Sequence, residues 1–209
     1  MKTTILIALF FMVEYCASQL NASTFIEEQG SFKVGSKPES PKTPEIYHLK
    51  KALLNYTLKP KHQLPVSNVD VFTLTFPSVI TTPFPENNMV YAEYYVPRNL
   101  KTFPATVVLD ITGGDQSLSR TISSYLASRG IGCLFVQMAY YGPRRPPESK
   151  VRLLSPDIKH TLKAIQQTVL DIRSAIAWLE QRNDVDKTRL GITGTSLGSM
   201  IGALSAEME

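Results

Sequence analysis

Leu190-Gly191-Ile192-Thr193-Gly194-Thr195-Ser196-Leu197-Gly198 decides how this chain folds: a short apolar strand runs into a Gly-x-Ser-x-Gly turn and a helix runs out of it. The outgoing segment has Leu197, Met200, Ile201 and Leu204 at spacings of three and four, the period of a helix with one apolar face. At such a junction the serine sits on a tight, strained turn, and Gly194 and Gly198 remove the β-carbons that would collide with strand and helix. Ser196 Oγ is then exposed at the end of a sheet. The helix that starts there directs backbone N–H groups and its positive dipole end toward developing negative charge. A bare Gly-x-Ser-x-Gly can also be a turn without chemical meaning; the strand before it and the helix after it select the reactive reading.

Outward from this turn, the chain alternates strands and helices. Val69 to Phe76 alternates with period two, Met89 to Val96 is a second β-rich run, and Pro- and Asn-rich residues separate them, as in an antiparallel pair. Ala105 to Leu109 and Gly132 to Gln137 are nearly continuous apolar runs, as in parallel strands buried on both faces. Between them Leu118, Ile122, Tyr125 and Leu126 share a helical face, and Gly130 follows as a stop. A longer helix starts at Ser155-Pro156-Asp157, with Ser155 as the expected cap and Pro156 in the first turn. Its stripe is Ile158, Leu162, Ile165, Val169, Ile172, Ile176 and Leu179. The order β, β, β, α, β, α, β, α predicts an α/β fold: a mostly parallel sheet with helices on both faces.

The flanks are less ordered in pattern. Residues 1–18 have a positive start, the short apolar run Ile5 to Val13 and small residues at Ala17-Ser18, which reads as a cleaved signal peptide of a secreted or periplasmic protein. An N-terminal membrane anchor is the alternative, although the run falls short of the roughly 20 residues that span a bilayer. No stable membrane span is expected after cleavage. Residues 19–65, rich in Pro, Ser and Lys, read as a leader or linker, and residues 66–209 as the domain. Asn21-Ala22-Ser23 and Asn55-Tyr56-Thr57 match the glycosylation acceptor pattern. With cleavage near Ser18, Cys133 is the one cysteine left, and its apolar surroundings make it a core residue rather than a nucleophile. His48, His62 and His160 show no ligand spacing, so no metal or other cofactor is expected. The net charge of +4 owes much to lysines in the polar stretch before residue 65, and no basic face with interleaved aromatics points to nucleic acid.

The run Asp171-Ile172-Arg173-Ser174-Ala175-Ile176-Ala177-Trp178-Leu179, followed by Val185 to Gly198, resembles α/β-hydrolases of the dienelactone hydrolase and acetyl xylan esterase kind. The resemblance extends from about Val69 to the C-terminus and is strongest after Pro104. It implies that Ser196 is the nucleophile. It also implies that Leu109-Asp110-Ile111-Thr112-Gly113-Gly114 is the turn after the third strand, whose N–H joins that of Leu197 in an oxyanion hole. Ile111 is the expected donor, with Thr112 the alternative, because Asp110 stands where many relatives carry His-Gly. Tyr140 to Pro147 follows the fourth strand, where ligands of open α/β sheets bind, which makes Tyr141 and Arg144 candidate substrate-loop residues. A rigid Pro-rich loop with solvated arginines is the competing reading. Asp171 and Arg173 read as helix-surface or structural ion-pair residues.

In this fold the triad acid and histidine follow the serine. No histidine occurs after Ser196, Glu207 and Glu209 are too near it in sequence, and His160 precedes it. The expectation is therefore the front portion of the fold with later strands missing, and a chain nearly inactive by itself. As a family member it is expected to be a serine hydrolase acting on a small-molecule or carbohydrate ester. The alternatives are a serine peptidase of the same fold and a non-catalytic binding or scaffold chain.

Overall fold

A computed structural model describes residues 25–209. The signal-peptide reading of residues 1–18 lies outside the described residues. Seven strands form one sheet: β1 (Glu28–Val34), β2 (Ala52–Leu64), β3 (Val69–Pro77), β4 (Met89–Pro97), β5 (Phe103–Leu109), β6 (Gly132–Val136) and β7 (Val185–Gly194). Their spatial order is β1-β2-β3-β4-β6-β5-β7. Three helices, α1 (Ser117–Ser128), α2 (Ile158–Glu180) and α3 (Leu197–Ala206), follow β5, β6 and β7. No helix among the described residues is long and apolar enough to cross a membrane.

The sheet is mixed rather than mostly parallel. Neighbours from β1 through β4 to β6 pair antiparallel, and only β5 pairs parallel, with β6 on one side and β7 on the other. The extra antiparallel strands come from residues expected to be leader. β1 and β2 lie inside that 19–65 stretch, yet Phe32, Val34 and Leu58 are buried in the main core. Tyr56 packs edge-on to Trp178 of α2, with ring centroids 5.7 Å apart. An antiparallel ribbon with one wet face needs apolar residues only at alternate positions, here Leu54, Tyr56 and Leu58, so its composition looks like that of a linker. A register shift between Pro60 and His62 further obscures the alternation.

Strand alternation divides the core between the two faces of the sheet. Val69, Val71, Tyr95, Val108, Cys133 and Phe135 face α1, while Phe72, Leu74, Tyr94, Val107, Leu134 and Val136 face α2 and α3. Burial of each large apolar side chain stabilises by about 1.5–3 kcal/mol, and a one-residue slip of register would exchange the two sets between faces shaped for different partners. Cys133 is a core residue, as expected, and burial pushes its thiol up to about 12.

Both long helices depart from their expected faces. In α1, Leu118 and Tyr125 are exposed and the innermost line is Ser119, Ser123 and Ala127, because small side chains let the helix approach the sheet closely. Its end is as read: Gly130, at φ 85°, follows the last turn, Gly130 N–H bonds Ala127 O and Ile131 N–H bonds Leu126 O. In α2, Ile158 and Leu162 are exposed and burial becomes continuous only from Gln167 to Ile176. The cap is Asp157 rather than Ser155: its carboxylate accepts from the N–H groups of Lys159 and His160. Ser155 Oγ instead accepts from Asp157 N–H at 3.2 Å.

Candidate functional site

Ser196 stands between β7 and α3 with φ 53° and ψ −118°, a backbone conformation that a non-glycine residue adopts only where the surroundings force it. Those surroundings are backbone. A β-carbon on Gly194 would lie 2.5 Å from Gly198 C, and one on Gly198 would lie 2.5 Å from Asp110 O and 2.7 Å from Leu109 O. The two glycines therefore let the strand, the helix and the turn after β5 touch. Parallel pairing sets Leu109 opposite Gly194, and Thr195 N–H donates to Leu109 O at 3.3 Å. Ser196 O accepts from Ser199 N–H at 3.0 Å and Met200 N–H at 3.2 Å, which anchors the first turn of α3. The Ser196 side chain itself is exposed.

Because the Gly198 contacts are with main chain, an added methyl has nowhere to go. Gly198→Ala is expected to cost about 1–3 kcal/mol or more of stability, read as a lowered urea midpoint. An unchanged midpoint would show that the turn and helix are not packed this tightly.

The turn after β5 lies against this elbow through Asp110. Asp110 is buried, accepts from Ser119 Oγ of α1 at 2.8 Å, and thereby ties the turn to the helix behind it. A β-carbon on Gly114 would meet Ile111 Cγ1 at 2.6 Å, so the turn folds closely around Ile111. Leu197 opens α3. Among the described residues, neither Ile111 N–H nor Leu197 N–H donates to a protein acceptor.

The two candidate residues of the loop after β6 part company. Tyr141 reaches the turn after β5: its hydroxyl oxygen accepts from Gly113 N–H at 3.3 Å. Burial raises its pKa, and the nearby Asp110 charge adds to that. With Thr112, Gly113, Gly114, Arg145 and Arg152 it lines a cavity of about 290 Å³. Arg144 does not face substrate. It is fully buried and pairs with Asp171 at 2.6 Å, and it also donates to Gln137 O at 3.0 Å and Asn87 O at 2.9 Å. The short 3-10 turn Gly142–Arg144 sends one arginine of the Arg144-Arg145 pair inward and leaves the next exposed.

Asn87, a buried residue of the β3–β4 connection, holds this loop. Its Oδ1 accepts from Tyr140 N–H at 2.9 Å and its Nδ2 donates to Gln167 Oε1 at 2.7 Å. Tyr140 is held at φ 63°, its ring packed between Phe84 and His160. His160 Nε2 lies 2.8 Å from Arg152 O, where only donation to the carbonyl makes a hydrogen bond. Sequence reasoning passed over Asn87, Arg145 and Arg152. The paired arginines were the available signal for a turn with one side chain in and one out. Asp171 and Arg173 are structural ion-pair residues: Arg173 bridges Glu39 at 3.0 Å and Glu209 at 2.7 Å.

A family model described as alpha/beta hydrolase domain containing 18 matches residues 66–209. Among solved structures, an acetyl xylan esterase from Paenibacillus sp. R4 is similar with TM-score 0.58 and 16% identity over 74% of this chain and 50% of that one. Acetyl xylan esterase 1 from Thermoanaerobacterium sp. JW/SL YS485 gives 0.55 and 17%, over 74% and 49%. A glucuronoyl esterase from Solibacter usitatus gives 0.51 and 16%, over 86% and 52%. At such identities the likeness is one of fold. The chain spans about half the length of these structures. No curated protein matches it.

Proposed function

Since the chain belongs to the family described as alpha/beta hydrolase domain containing 18, an α/β-hydrolase, we propose that Ser196 is the nucleophile of an exported carboxylic ester hydrolase. The observation that carries this reading is the Ser196 backbone, held at positive φ by glycine contacts that place an exposed hydroxyl beside the turn after β5. Ser196 Oγ attacks the ester carbonyl carbon as its proton passes to a histidine. The resulting alkoxide is held by the Ile111 and Leu197 N–H groups, both without a protein acceptor. The bond to the alcohol breaks, the alcohol leaves with that proton, and water then releases the acid from the acyl-enzyme. Names of similar structures, acetyl xylan and glucuronoyl esterases, support a carbohydrate ester or a small ester as substrate. Export rests on residues 1–18 alone.

Activation requires an acid and a histidine that follow the serine in this fold, so the reading is tested on protein that contains them. A fluorophosphonate probe is expected to label Ser196 in the wild type, located by peptide mass, and to spare Ser196→Ala. Equal labelling of both removes Ser196 as the nucleophile.

A further inference from the structure

Nine arginines lie among the described residues, and six of them, at 98, 120, 144, 173, 182 and 189, pair with carboxylates. Arg129 lies over the Tyr125 ring. The remaining two, Arg145 and Arg152, line the same cavity, which also takes in Thr112, Gly113 and Gly114 of the turn after β5. We propose that this cavity is an anion subsite, in which Arg145 and Arg152 bind a carboxylate or phosphate group carried by the ester substrate. The link from this anion site to a substrate rests on Ser196 being the nucleophile; anion binding stands without it.

The geometry supports a built site rather than two stray charges. Arg152 is half-buried, and its guanidinium donates to Ser149 O at 3.1 Å and Val151 O at 2.8 Å, which curls the segment around it. Its carbonyl is tied to His160 of α2. Arg145 follows the turn whose preceding residue, Arg144, is locked in the interior, so its backbone position is set by a buried ion pair. In the same lining the Tyr141 hydroxyl is held against Gly113 N–H, on the turn whose Asp110 carbonyl lies where a β-carbon on Gly198 would collide with it. Of the Asp110 carboxylate in the vicinity, Oδ1 accepts from Ser119 Oγ on α1, while Oδ2 lies behind Gly114 without a protein donor among the described residues, and the two guanidinium groups outnumber this one negative charge. At about 290 Å³ the space suits a charged group with a short stem rather than a whole large ligand. Guanidinium groups without an internal carboxylate are suited to bidentate binding of a carboxylate or phosphate.

The test titrates the wild-type protein calorimetrically with succinate, with inorganic phosphate and with neutral dimethyl succinate. Saturable binding of one or both anions, and none of the diester, is expected; the preferred anion identifies a carboxylate or phosphate substrate. Arg145→Gln and Arg152→Gln are each expected to weaken binding about tenfold or more, and Arg152→Lys, which keeps the charge but not the guanidinium fork, is expected to weaken it less than Arg152→Gln. Lys159→Gln, a change at an exposed cation outside the cavity, is expected to have no effect. No anion binding, or equal weakening by Lys159→Gln, overturns the subsite. In a second arm the bound anion is expected to slow fluorophosphonate labelling of the wild type and not of the Arg145→Gln/Arg152→Gln variant. Binding without protection overturns the link to substrate, whereas labelling that ignores Ser196 overturns the nucleophile and leaves the titration intact.

Discussion

With Ser196 as the proposed nucleophile, and in protein that contains an acid and a histidine to activate it, Ser196→Ala is expected to lower ester turnover about 10⁶-fold, with KM nearly unchanged. The size follows from what remains. Loss of the nucleophile leaves the proposed transition-state binding by the Ile111 and Leu197 N–H groups, and in serine hydrolases that remainder of catalysis is worth about 10³–10⁴ over water. The folded state is expected to be spared. The Ser196 hydroxyl makes no hydrogen bond to protein among the described residues, and the turn is held by its carbonyl and by the two glycines, which the substitution leaves in place. Stability should therefore stay within about 0.5 kcal/mol. Steady-state kinetics with a chromogenic ester reads the first expectation and thermal unfolding the second. A variant that retains more than a hundredth of the turnover would assign the chemistry elsewhere.

Arg144→Met is expected to cost about 3–5 kcal/mol of stability, because it leaves the Asp171 carboxylate buried without its cation. Asp171 keeps only Ser78 Oγ at 2.7 Å, and the carbonyls of Gln137 and Asn87 lose a donor. The double variant Arg144→Met/Asp171→Leu removes the orphaned charge and should recover a large part of the loss, as paired apolar replacements of buried ion pairs do. Burial already raises the Asp171 carboxyl above its ordinary value, against the pull of Arg144 and Ser78. Without Arg144 it rises further. A carboxyl whose folded pKa exceeds its unfolded one stabilises most below the unfolded value and loses that contribution as pH rises through the folded pKa. The deficit of Arg144→Met against wild type should accordingly be widest near neutral pH and narrow on acidification. Urea unfolding across pH reads this; a deficit independent of pH, or a double variant no better than the single, would contradict it.

Much of this architecture is legible in one dimension. The four strands β3 to β6 carry either strict alternation or continuous apolar runs, and the end of α1 is written in Gly130. The helix faces were harder. Leu118 and Ile158 fit an apolar stripe and lie outside, since periodicity states which residues share a face but not where the neighbouring layer stops. The first two strands escaped because a ribbon with one wet face, interrupted near Pro60, carries too little apolar signal to be told from a linker.

The serine elbow belongs to the sequence: the glycines flanking Ser196 at two-residue spacing, between an apolar strand and a helix-period segment, determine that the hydroxyl is presented at the end of the sheet. Local sterics need nothing distant to act, which is why this part reads directly. What surrounds the serine was decided only in three dimensions. That Arg144 turns inward to Asp171 while Arg145 joins Arg152 beside Tyr141 depends on Asn87, Gln167 and His160, which come from other elements. Burial and charge pairing are properties of neighbours in space, and two adjacent arginines look alike until the fold supplies one of them with a carboxylate.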